Sequence, residues 1–324
     1  MSSDALADKN DRIDVRVTAI RYAGPAVNLY ELRPLDGDPL LPPFEAGAHI
    51  DVHLSNGLVR QYSLAGDVCD RSRYVLGIKR DDQSRGGSSH IHDVLRVGQI
   101  IPIGMPRNNF ALVEEGRKAI FIAGGIGVTP FLSMARRAES IGLDWILHAA
   151  VRTRESAKIL IDLQEYQDRI RLHVDADCGN KPLEIGPIVA SAEPETHLYC
   201  CGPAMMLESF EKECALRPQR LTHVERFAGD VQPAIDGGFV VQLSRSKLTV
   251  YVRPGQSIAD AIREVGVTVE TSCRQGICGT CETRVLGGIP DHRDVILSED
   301  EKVTNTTMMI CCSGSKTDAL VLDL

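Results

Sequence analysis

Four cysteines near the end of the chain have the type and spacing to hold an iron–sulfur cluster. Cys273, Cys278 and Cys281 form a C-x4-C-x2-C run, and Cys311 follows on a later segment. Two irons bridged by sulfides need four thiolates, and this is the ligand spacing of plant-type 2Fe–2S clusters. Such a cluster passes single electrons, so the rest of the chain is expected to supply them.

The residues between and beside these cysteines refine the prediction. Gly276 and Gly279 allow sharp bends with positive φ, and a loop of that shape can direct its N–H groups at the sulfides. Cys312 competes with Cys311 for the fourth ligand position, because neighbours in an extended segment point to opposite sides, and the spacing favours Cys311. Zinc is the alternative, although zinc sites favour paired C-x2-C knuckles. A Rieske centre needs two His ligands, and no His lies within CRQGICGTC.

The composition predicts a globular, multidomain protein. The 324 residues, of which 43% are hydrophobic and 25% charged, suffice for two or three domains. A net charge of −8 without a basic stripe argues against a nucleic-acid partner, and no apolar stretch has the length of a membrane span. The polar, acidic N-terminal segment is unlike a secretory signal. Of the ten cysteines, four are assigned to the cluster, and the others are expected to be reduced thiols in a cytoplasmic protein.

Three patterns follow one another along the chain. From residue 13 to about 111, short apolar runs alternate with Gly, Pro and Asp turns as in a small antiparallel barrel, and only HDVLRVG at 92–98 indicates a helical turn. From about residue 117 strands and helices alternate as in a doubly wound parallel sheet. The predicted strands are 119–123, 144–151, 169–176, 197–201 and 222–227, and the predicted helices begin at Pro130 and cover 154–167 and 203–217.

The last pattern begins after a Gly-, Pro- and Asp-rich linker at about 228–238. A hairpin is predicted over 239–252, followed by a helix capped by Ser257. The predicted fold class is thus multidomain: an antiparallel β-barrel over 1–112, an α/β parallel-sheet domain over 113–229 and an α+β ferredoxin domain over 230–324.

Two glycine-containing turns are predicted to bind a dinucleotide at the carboxyl edge of the parallel sheet. Glycines let a pyrophosphate approach the backbone, and the following helix offers free N–H groups. The first turn lacks the third glycine of the standard fingerprint, and a simple tight turn is equally compatible. Two such turns can flank one crevice. The residues assigned are Gly124, Gly125, Gly127, Thr129 and Pro130 in the first turn and Cys201, Gly202 and Pro203 in the second.

The sequence leaves alternatives open for Cys201 and for the residues at the adenine end of the site. Cys201 is predicted to face the crevice, with a buried core thiol as an even alternative. Asp175 lies at the end of one predicted strand and Arg152 follows another, at the expected adenine end of the site. An acidic residue there can hold a ribose 2′-hydroxyl and repel a 2′-phosphate, whereas arginines favour the phosphate. The balance favours NADH over NADPH, and the nearby Arg154 suits an exposed helix-start charge equally well.

A flat anionic ligand is predicted on the barrel. In RQYSL, Arg60 can pair with a phosphate, and Tyr62 can stack on or hydrogen-bond to a ring. Gly86, Gly87 and Ser88 lie in the RGGSS segment before HIHDVL, where they can form a second phosphate contact at a helix start. Gly-Gly-Ser is usually just a loop, so each motif alone is weak.

These motifs resemble those of the phthalate dioxygenase reductase family over nearly the whole chain. Their order along the chain is R-x-Y-S, GGS, GGIG-x-TP, CGP, E-x-F and then the four C-terminal cysteines. The resemblance implies a flavin barrel of the ferredoxin-reductase type that holds FMN rather than FAD. It also implies an NADH-binding domain, a ferredoxin, and a Rieske non-haem iron oxygenase of aromatic degradation as the electron acceptor.

The resemblance also implies roles for individual residues. Arg60, Tyr62 and Ser63 match the flavin-binding motif, and Gly87 and Ser88 match the segment at the flavin phosphate or ring. At the nicotinamide, the matching residues are Cys201 of CGP and Glu225 and Phe227 of E-x-F, of which Cys201 and Phe227 are the catalytic candidates.

The predicted function is therefore an NADH-dependent iron–sulfur flavoprotein reductase. Nicotinamides give two electrons together and a 2Fe–2S cluster accepts one, so a flavin between them can divide the pair, while the protein sets distance and orientation. One alternative is a stand-alone NADH-dependent flavin or acceptor reductase. Another is a non-enzymatic redox sensor, which would consume no NADH and would leave the two nucleotide-type turns without a purpose.

Overall fold

The computed structural model describes residues 12–35, 37, 40–81, 86–227 and 232–324. The chain separates into two units, Met1–Glu225 and Arg226–Leu324. The predicted division of the first unit into two domains at 112/113 stays a prediction. Most of the N-terminal segment (1–11), Arg85 and the start of the predicted linker (228–231) lie outside the described residues.

The N-terminal part of the first unit is a six-stranded antiparallel sheet with the strand order β4-β3-β6-β1-β2-β5. A bridge between Leu64 and Leu76 joins the two edges and closes the sheet into a barrel. Alternate residues such as Ile50, Val52 and Ile103 fill its core. Its elements are β1 (Arg12–Gly24), β2 (Val27–Pro34), β3 (His49–His53), β4 (Val59–Ser63), β5 (Tyr74–Lys79), α1 (Gly87–Val94) and β6 (Ile100–Gly104).

Helix α1 of the barrel starts earlier than its sequence pattern indicates. The turn predicted over 92–98 contains only the last residues of α1, and Leu95 is already extended. Only Gly87 and Ile91 of the helix are buried. With so few apolar residues in its first turn, α1 gives almost no periodic signal at its N-terminus.

The rest of the first unit is a parallel five-stranded sheet with the order β11-β10-β7-β8-β9, flanked by helices. This confirms the predicted doubly wound architecture. Phe121, Phe131, Trp145 and Tyr199 pack in its aromatic core. The elements are β7 (Lys118–Gly124), α2 (Thr129–Ile141), β8 (Asp144–Val151), β9 (Ile170–Val174), α3 (Ile185–Ser191), β10 (His197–Cys201), α4 (Ala204–Glu213) and β11 (Thr222–Glu225).

The segment predicted as a helix over 154–167 is a 3-10 helix, Arg154–Arg169, with non-helical backbone at Leu163 and Tyr166. Only Ile159, Leu160 and Leu163 of this segment are buried. Other short 3-10 segments are Gly125–Val128, Asp175–Cys178 and Gln219–Leu221.

The second unit is a mixed five-stranded sheet, β13-β12-β18-β14-β16, with a separate pair β15-β17. The predicted hairpin is confirmed, because β12 and β13 pair in antiparallel register. Ser257 caps α5 by accepting a hydrogen bond from Asp260 N at 3.1 Å, as predicted. The elements are β12 (Phe239–Leu243), β13 (Leu248–Val252), α5 (Ile258–Glu264), β14 (Glu282–Gly287), β15 (Pro290–Asp291), α6 (Glu299–Thr304), β16 (Thr307–Met309), β17 (Gly314–Ser315) and β18 (Ala319–Leu322).

Candidate functional site

The cysteine loop of the second unit bends as its glycines predict. Gly276 and Gly279 have φ of 66° and 74°, and Arg274 also adopts a positive φ, 56°. A Cβ on Gly276 would lie 2.6 Å from Cys312 Sγ and 2.9 Å from Asp294 Cα, so no other residue fits there without displacement. The loop is thus held tightly against the segment that carries the last two cysteines.

The four predicted ligands form two hydrogen-bonded pairs, Cys273 with Cys278 and Cys281 with Cys311. These contacts lower the pKa of Cys278 and of Cys311 and raise the pKa of the thiol that donates in each pair. Cys278, Cys281 and Cys311 are buried and Cys273 is half-buried. Two irons that each need two thiolates fit this paired arrangement. Among the described residues, no three His, Cys, Asp or Glu side chains converge closely enough to hold a single metal ion.

Cys312 has its own protein partners. Its thiol donates to Met309 O at 3.7 Å and lies 3.9 Å from Ser313 Oγ. Cys311 accepts hydrogen bonds from the Cys281 and Cys312 thiols and from the Gly276 backbone. These contacts support Cys311 as the fourth ligand.

On the barrel, Arg60 lies against the start of α1. A Cβ on Gly87 would lie 2.4 Å from Arg60 Nε and 2.7 Å from its Cγ. The residue before the helix, Gly86, has φ 83° and supplies no side-chain cap. Ser88 Oγ accepts a hydrogen bond from Asp81 N at 3.1 Å. A guanidinium beside a helix N-terminus is the chemistry that binds a phosphate, so these residues fit a flavin phosphate.

The β3–β4 pair carries three buried polar atoms that have no hydrogen-bond partner. They are His49 Nε2, Gln61 Nε2 and Ser63 Oγ. His49 is the cross-strand partner of Ser63, and Asp51 is that of Gln61. Orphaned buried polar groups are costly, and a ring with polar edge atoms, such as a flavin, would satisfy them.

His49 and Gln61 were not singled out from the sequence. The alternation of HIDVHL places His49 on one face with Asp51, and this was the available signal. Burial, with the charge of Arg107, lowers the pKa of His49 to about 4, so its ring is neutral near pH 7. Tyr62 packs against the barrel core, and burial raises its pKa, so its phenol stays protonated.

The two predicted nucleotide turns touch each other. A Cβ on Gly127 would lie 2.3 Å from Cys201 O and 2.8 Å from Gly202 N, and one on Gly124 would lie 2.5 Å from Pro203 Cδ. The contact follows from the sheet, because β7 and β10 are parallel neighbours and the turns follow their carboxyl ends. The structure therefore brings these residues together in the arrangement that a dinucleotide crevice requires.

Other residues of the first turn have different environments. Gly125 is exposed with φ 56°. Thr129 and Pro130 are buried, and Thr129 Oγ1 donates to Ile126 O at 3.0 Å. A Cβ on Gly77 of the barrel would lie 2.5 Å from the Thr129 methyl group. Thr129 thus joins α2 to the barrel, and its predicted contact with the cofactor would be made through its backbone.

Cys201 and Glu225 are cross-strand partners on β10 and β11. The Cys201 thiol is hydrogen-bonded to the Glu225 carboxylate, whose Oε2 is buried without a hydrogen-bond partner. Burial raises the pKa of Glu225 to about 8, and burial with the Glu225 charge raises that of Cys201. Both groups are therefore mostly protonated at pH 7. Phe227 is exposed and belongs to the second unit.

At the expected adenine end, β8 and β9 finish side by side. Ala176 N donates to Arg152 O at 3.2 Å, so the segments of Arg152 and Asp175 are adjacent. Arg152 is exposed, whereas Asp175 Oδ1 is buried. Arg154 pairs with Asp177 at 2.8 Å, which fits its alternative role as a surface charge.

The carboxyl group of Glu225 should make stability depend on pH. Its pKa is about 8 in the folded protein against 4.5 ordinarily, so unfolding releases a proton between these values and stability falls as pH rises. His49 and His223 have pKa values of about 4 in the folded protein. They make stability rise with pH, but only below pH 6.5. We expect thermal unfolding temperatures to fall from pH 6.5 to 8 in the wild type and much less in Glu225→Gln.

Exposed Glu208 on α4 supplies the matched control. Glu208→Gln should keep the wild-type pH dependence. An equal slope in Glu225→Gln and the wild type would contradict a raised pKa at Glu225.

None of the helices in the described part of the chain combines the length and apolarity needed to cross a bilayer. Residues 241–315 match a family model described as a 2Fe–2S iron–sulfur cluster binding domain. That match includes the cysteine loop and Cys311.

Known proteins resemble the whole chain. It is 49% identical over 313 residues to phenoxybenzoate dioxygenase subunit beta of Ectopseudomonas oleovorans, covering 96% of this chain and 97% of that protein. It is 43% identical over 318 residues to tetrachlorobenzoquinone reductase of Sphingobium chlorophenolicum, covering 96% and 98%. The solved structure of phthalate dioxygenase reductase, described as a modular structure for electron transfer from pyridine nucleotides to [2Fe–2S], matches with a TM-score of 0.74 and 34% identity over 98% and 99% of the two chains.

Proposed function

The chain belongs to the phthalate dioxygenase reductase family, and we propose that it is the reductase component that supplies a Rieske-type oxygenase with electrons from NADH. It is an iron–sulfur flavoprotein oxidoreductase, as its relatives are. The observation that carries the proposal is the match over 98% and 99% of both chains to a reductase that moves electrons from pyridine nucleotides to [2Fe–2S]. FMN as the flavin, the Rieske type of the partner and a cytoplasmic location belong to the proposal.

The described residues fit the three cofactors. When bound, the flavin would supply hydride acceptance and the iron–sulfur cluster would supply one-electron release. Arg60 and the N-terminus of α1 would hold the flavin phosphate. The two touching turns would hold the dinucleotide pyrophosphate, and the two cysteine pairs would hold the irons.

The groups around the nicotinamide position are neutral near pH 7. Cys201 and Glu225 share a hydrogen bond and have raised pKa values, so neither brings a charge that would oppose approach of a negatively charged dinucleotide. Hydride transfer needs no general acid or base, and we assign neither role to Cys201 or Glu225. Residues on this crevice therefore orient the donor.

Arg60→Gln is expected to weaken flavin binding by roughly 10- to 100-fold, because a hydrogen bond to a charged group contributes about 1.5–3 kcal/mol. Fluorescence titration of FMN into deflavinated protein measures this. Arg33→Gln is the matched control, since Arg33 also lies on a barrel strand but pairs with Glu31 at 2.8 Å. Equal affinity in the Arg60 variant and the wild type would contradict a phosphate contact for Arg60.

Reconstitution tests the whole proposal. The purified protein should release FMN on acid treatment, identified by mass, and should support NADH-dependent product formation by a Rieske oxygenase component encoded nearby. Rapid NADH oxidation without any transfer to such a component would overturn the assignment of the partner.

A second candidate function is direct reduction of a small acceptor by the protein alone. The 43% identity to tetrachlorobenzoquinone reductase over 98% of that protein favours it. The two functions differ in their dependence on a partner: a stand-alone reductase would consume NADH with a quinone at a high rate and gain nothing from an added oxygenase component.

A further inference from the structure

A cysteine, a histidine and an aspartate lie together at the edge of the parallel sheet. Asp175 and Cys178 are carried by the turn after β9, and His173 lies within that strand. His173 Nδ1 is 3.9 Å from Cys178 Sγ, and its Nε2 is 3.3 Å from Asp175 Oδ1. Cys178 is exposed to solvent. The electron-transfer function proposed above uses neither Cys178 nor His173.

The hydrogen bonds of His173 fix its tautomer. Its Nε2 is 2.9 Å from Lys181 O, and a carbonyl can only accept, so the proton of the neutral ring is on Nε2. Nδ1 then carries the lone pair and faces the Cys178 thiol. The Asp175 carboxylate beside Nε2 would stabilise the ring once Nδ1 takes a proton. This is the order of groups that activates a thiol nucleophile.

The backbone holds this arrangement in place. Asn180 N donates to Asp175 O at 2.7 Å, and Lys181 N donates to Cys178 O at 3.3 Å. Gly179 and Asn180 close the turn with φ of 66° and 60°. These bonds hold the backbone of the turn that carries Cys178 directly after the strand that carries His173.

The surroundings of the thiol carry charges of both signs. Arg152 and Lys181 are exposed, and their backbone carbonyls accept hydrogen bonds from Ala176 N and His173 Nε2. Asp177 of the same turn pairs with Arg154 at 2.8 Å. The exposed Cys178 thiol is open to a small disulfide from solvent.

We propose that Cys178 is a modifiable nucleophilic thiol, activated by His173, that forms a mixed disulfide with small disulfides such as glutathione disulfide. The Cys178 proton passes to His173 Nδ1, and the thiolate attacks one sulfur of the disulfide. A new S–S bond forms at Cys178 as the old one breaks, and the leaving glutathione thiolate takes the proton from His173. Cys178 is oxidised and one half of the disulfide is reduced.

Modification would act on the dinucleotide site, a consequence that rests on the proposed function. Cys178 shares its turn with Asp175, the residue predicted to hold the adenine-side ribose. A tripeptide attached to this turn would obstruct the adenosine end of the crevice, so the modified protein is expected to bind NADH more weakly.

The first test measures modification rates of the intact holoprotein with glutathione disulfide, resolved by peptide mass spectrometry. A general base contributes about 10²–10⁴-fold when well placed, and at 3.9 Å we expect His173→Gln to slow modification of Cys178 at least about tenfold. Cys69, also exposed, should react at the same rate in both proteins. An unchanged rate at Cys178 in His173→Gln would overturn activation by His173.

The second test measures the KM for NADH before and after treatment with glutathione disulfide. We expect KM to rise severalfold in the wild type and to stay constant in Cys178→Ser, and we expect NADH to slow modification of Cys178. A mixed disulfide that leaves KM unchanged would overturn the obstruction. A protein that reacts at Cys178 but never oxidises NADH would instead contradict the proposed function and leave the activated thiol standing.

Discussion

Cys278→Ser is expected to abolish NADH-dependent reduction of cytochrome c while flavin reduction by NADH continues at the wild-type rate. Cys278 is buried in the cysteine loop and paired with Cys273, and it is one of the four predicted iron ligands. Removal of one of four cluster ligands removes the one-electron outlet. Stopped-flow absorbance at the flavin band and cytochrome c reduction measure the two activities separately.

Cys312→Ser is the matched control, because Cys312 is equally buried in the same unit but donates to Met309 O. It should keep the cluster absorption and most of the cytochrome c activity. Loss of flavin reduction in a correctly folded Cys278→Ser protein would contradict the view that the cluster acts after the flavin.

Much of the fold could be predicted because its elements carry local signals. The predicted strands 144–151 and 197–201 coincide with β8 and β10, since continuous apolar runs mark buried parallel strands. Helices α3 and α6 gave no such signal. Gly186 and Pro187 lie at the start of α3, and α6 has no buried residue and therefore no apolar periodicity.

The residues of the site also fall into two groups: those that a local sequence pattern predicted and those that come together only through strand pairing. Spacing within one loop predicted the cysteine ligands, and glycine content predicted the two nucleotide turns. The partner of Ser63 could not be predicted, because the register of β3 and β4 places His49 opposite it. The Cys201–Glu225 hydrogen bond likewise depends on parallel pairing between strands far apart in sequence. Contacts of this kind follow from register, which a single local pattern does not specify.

Gly127→Ala is expected to lower kcat/KM for NADH by about 100-fold, because displacement of a binding site by about 1 Å can cost that much. The added Cβ would lie 2.3 Å from Cys201 O and 2.6 Å from Cys201 C, both backbone atoms that cannot rotate away. The two turns must therefore separate. Flavin content should be unchanged, since Arg60 and α1 belong to the barrel.

Gly66→Ala is the matched control for this substitution. Its Cβ would meet Val75 Cγ2 at 3.7 Å, an ordinary van der Waals contact, so both flavin content and kcat/KM should stay near wild type. Rapid-mixing measurements of flavin reduction over a range of NADH concentrations distinguish the two variants. If Gly127→Ala folds with full flavin content and binds and oxidises NADH as the wild type does, contact between the two turns is not what shapes the dinucleotide crevice. The pyrophosphate would then have to bind elsewhere along the carboxyl edge of the sheet.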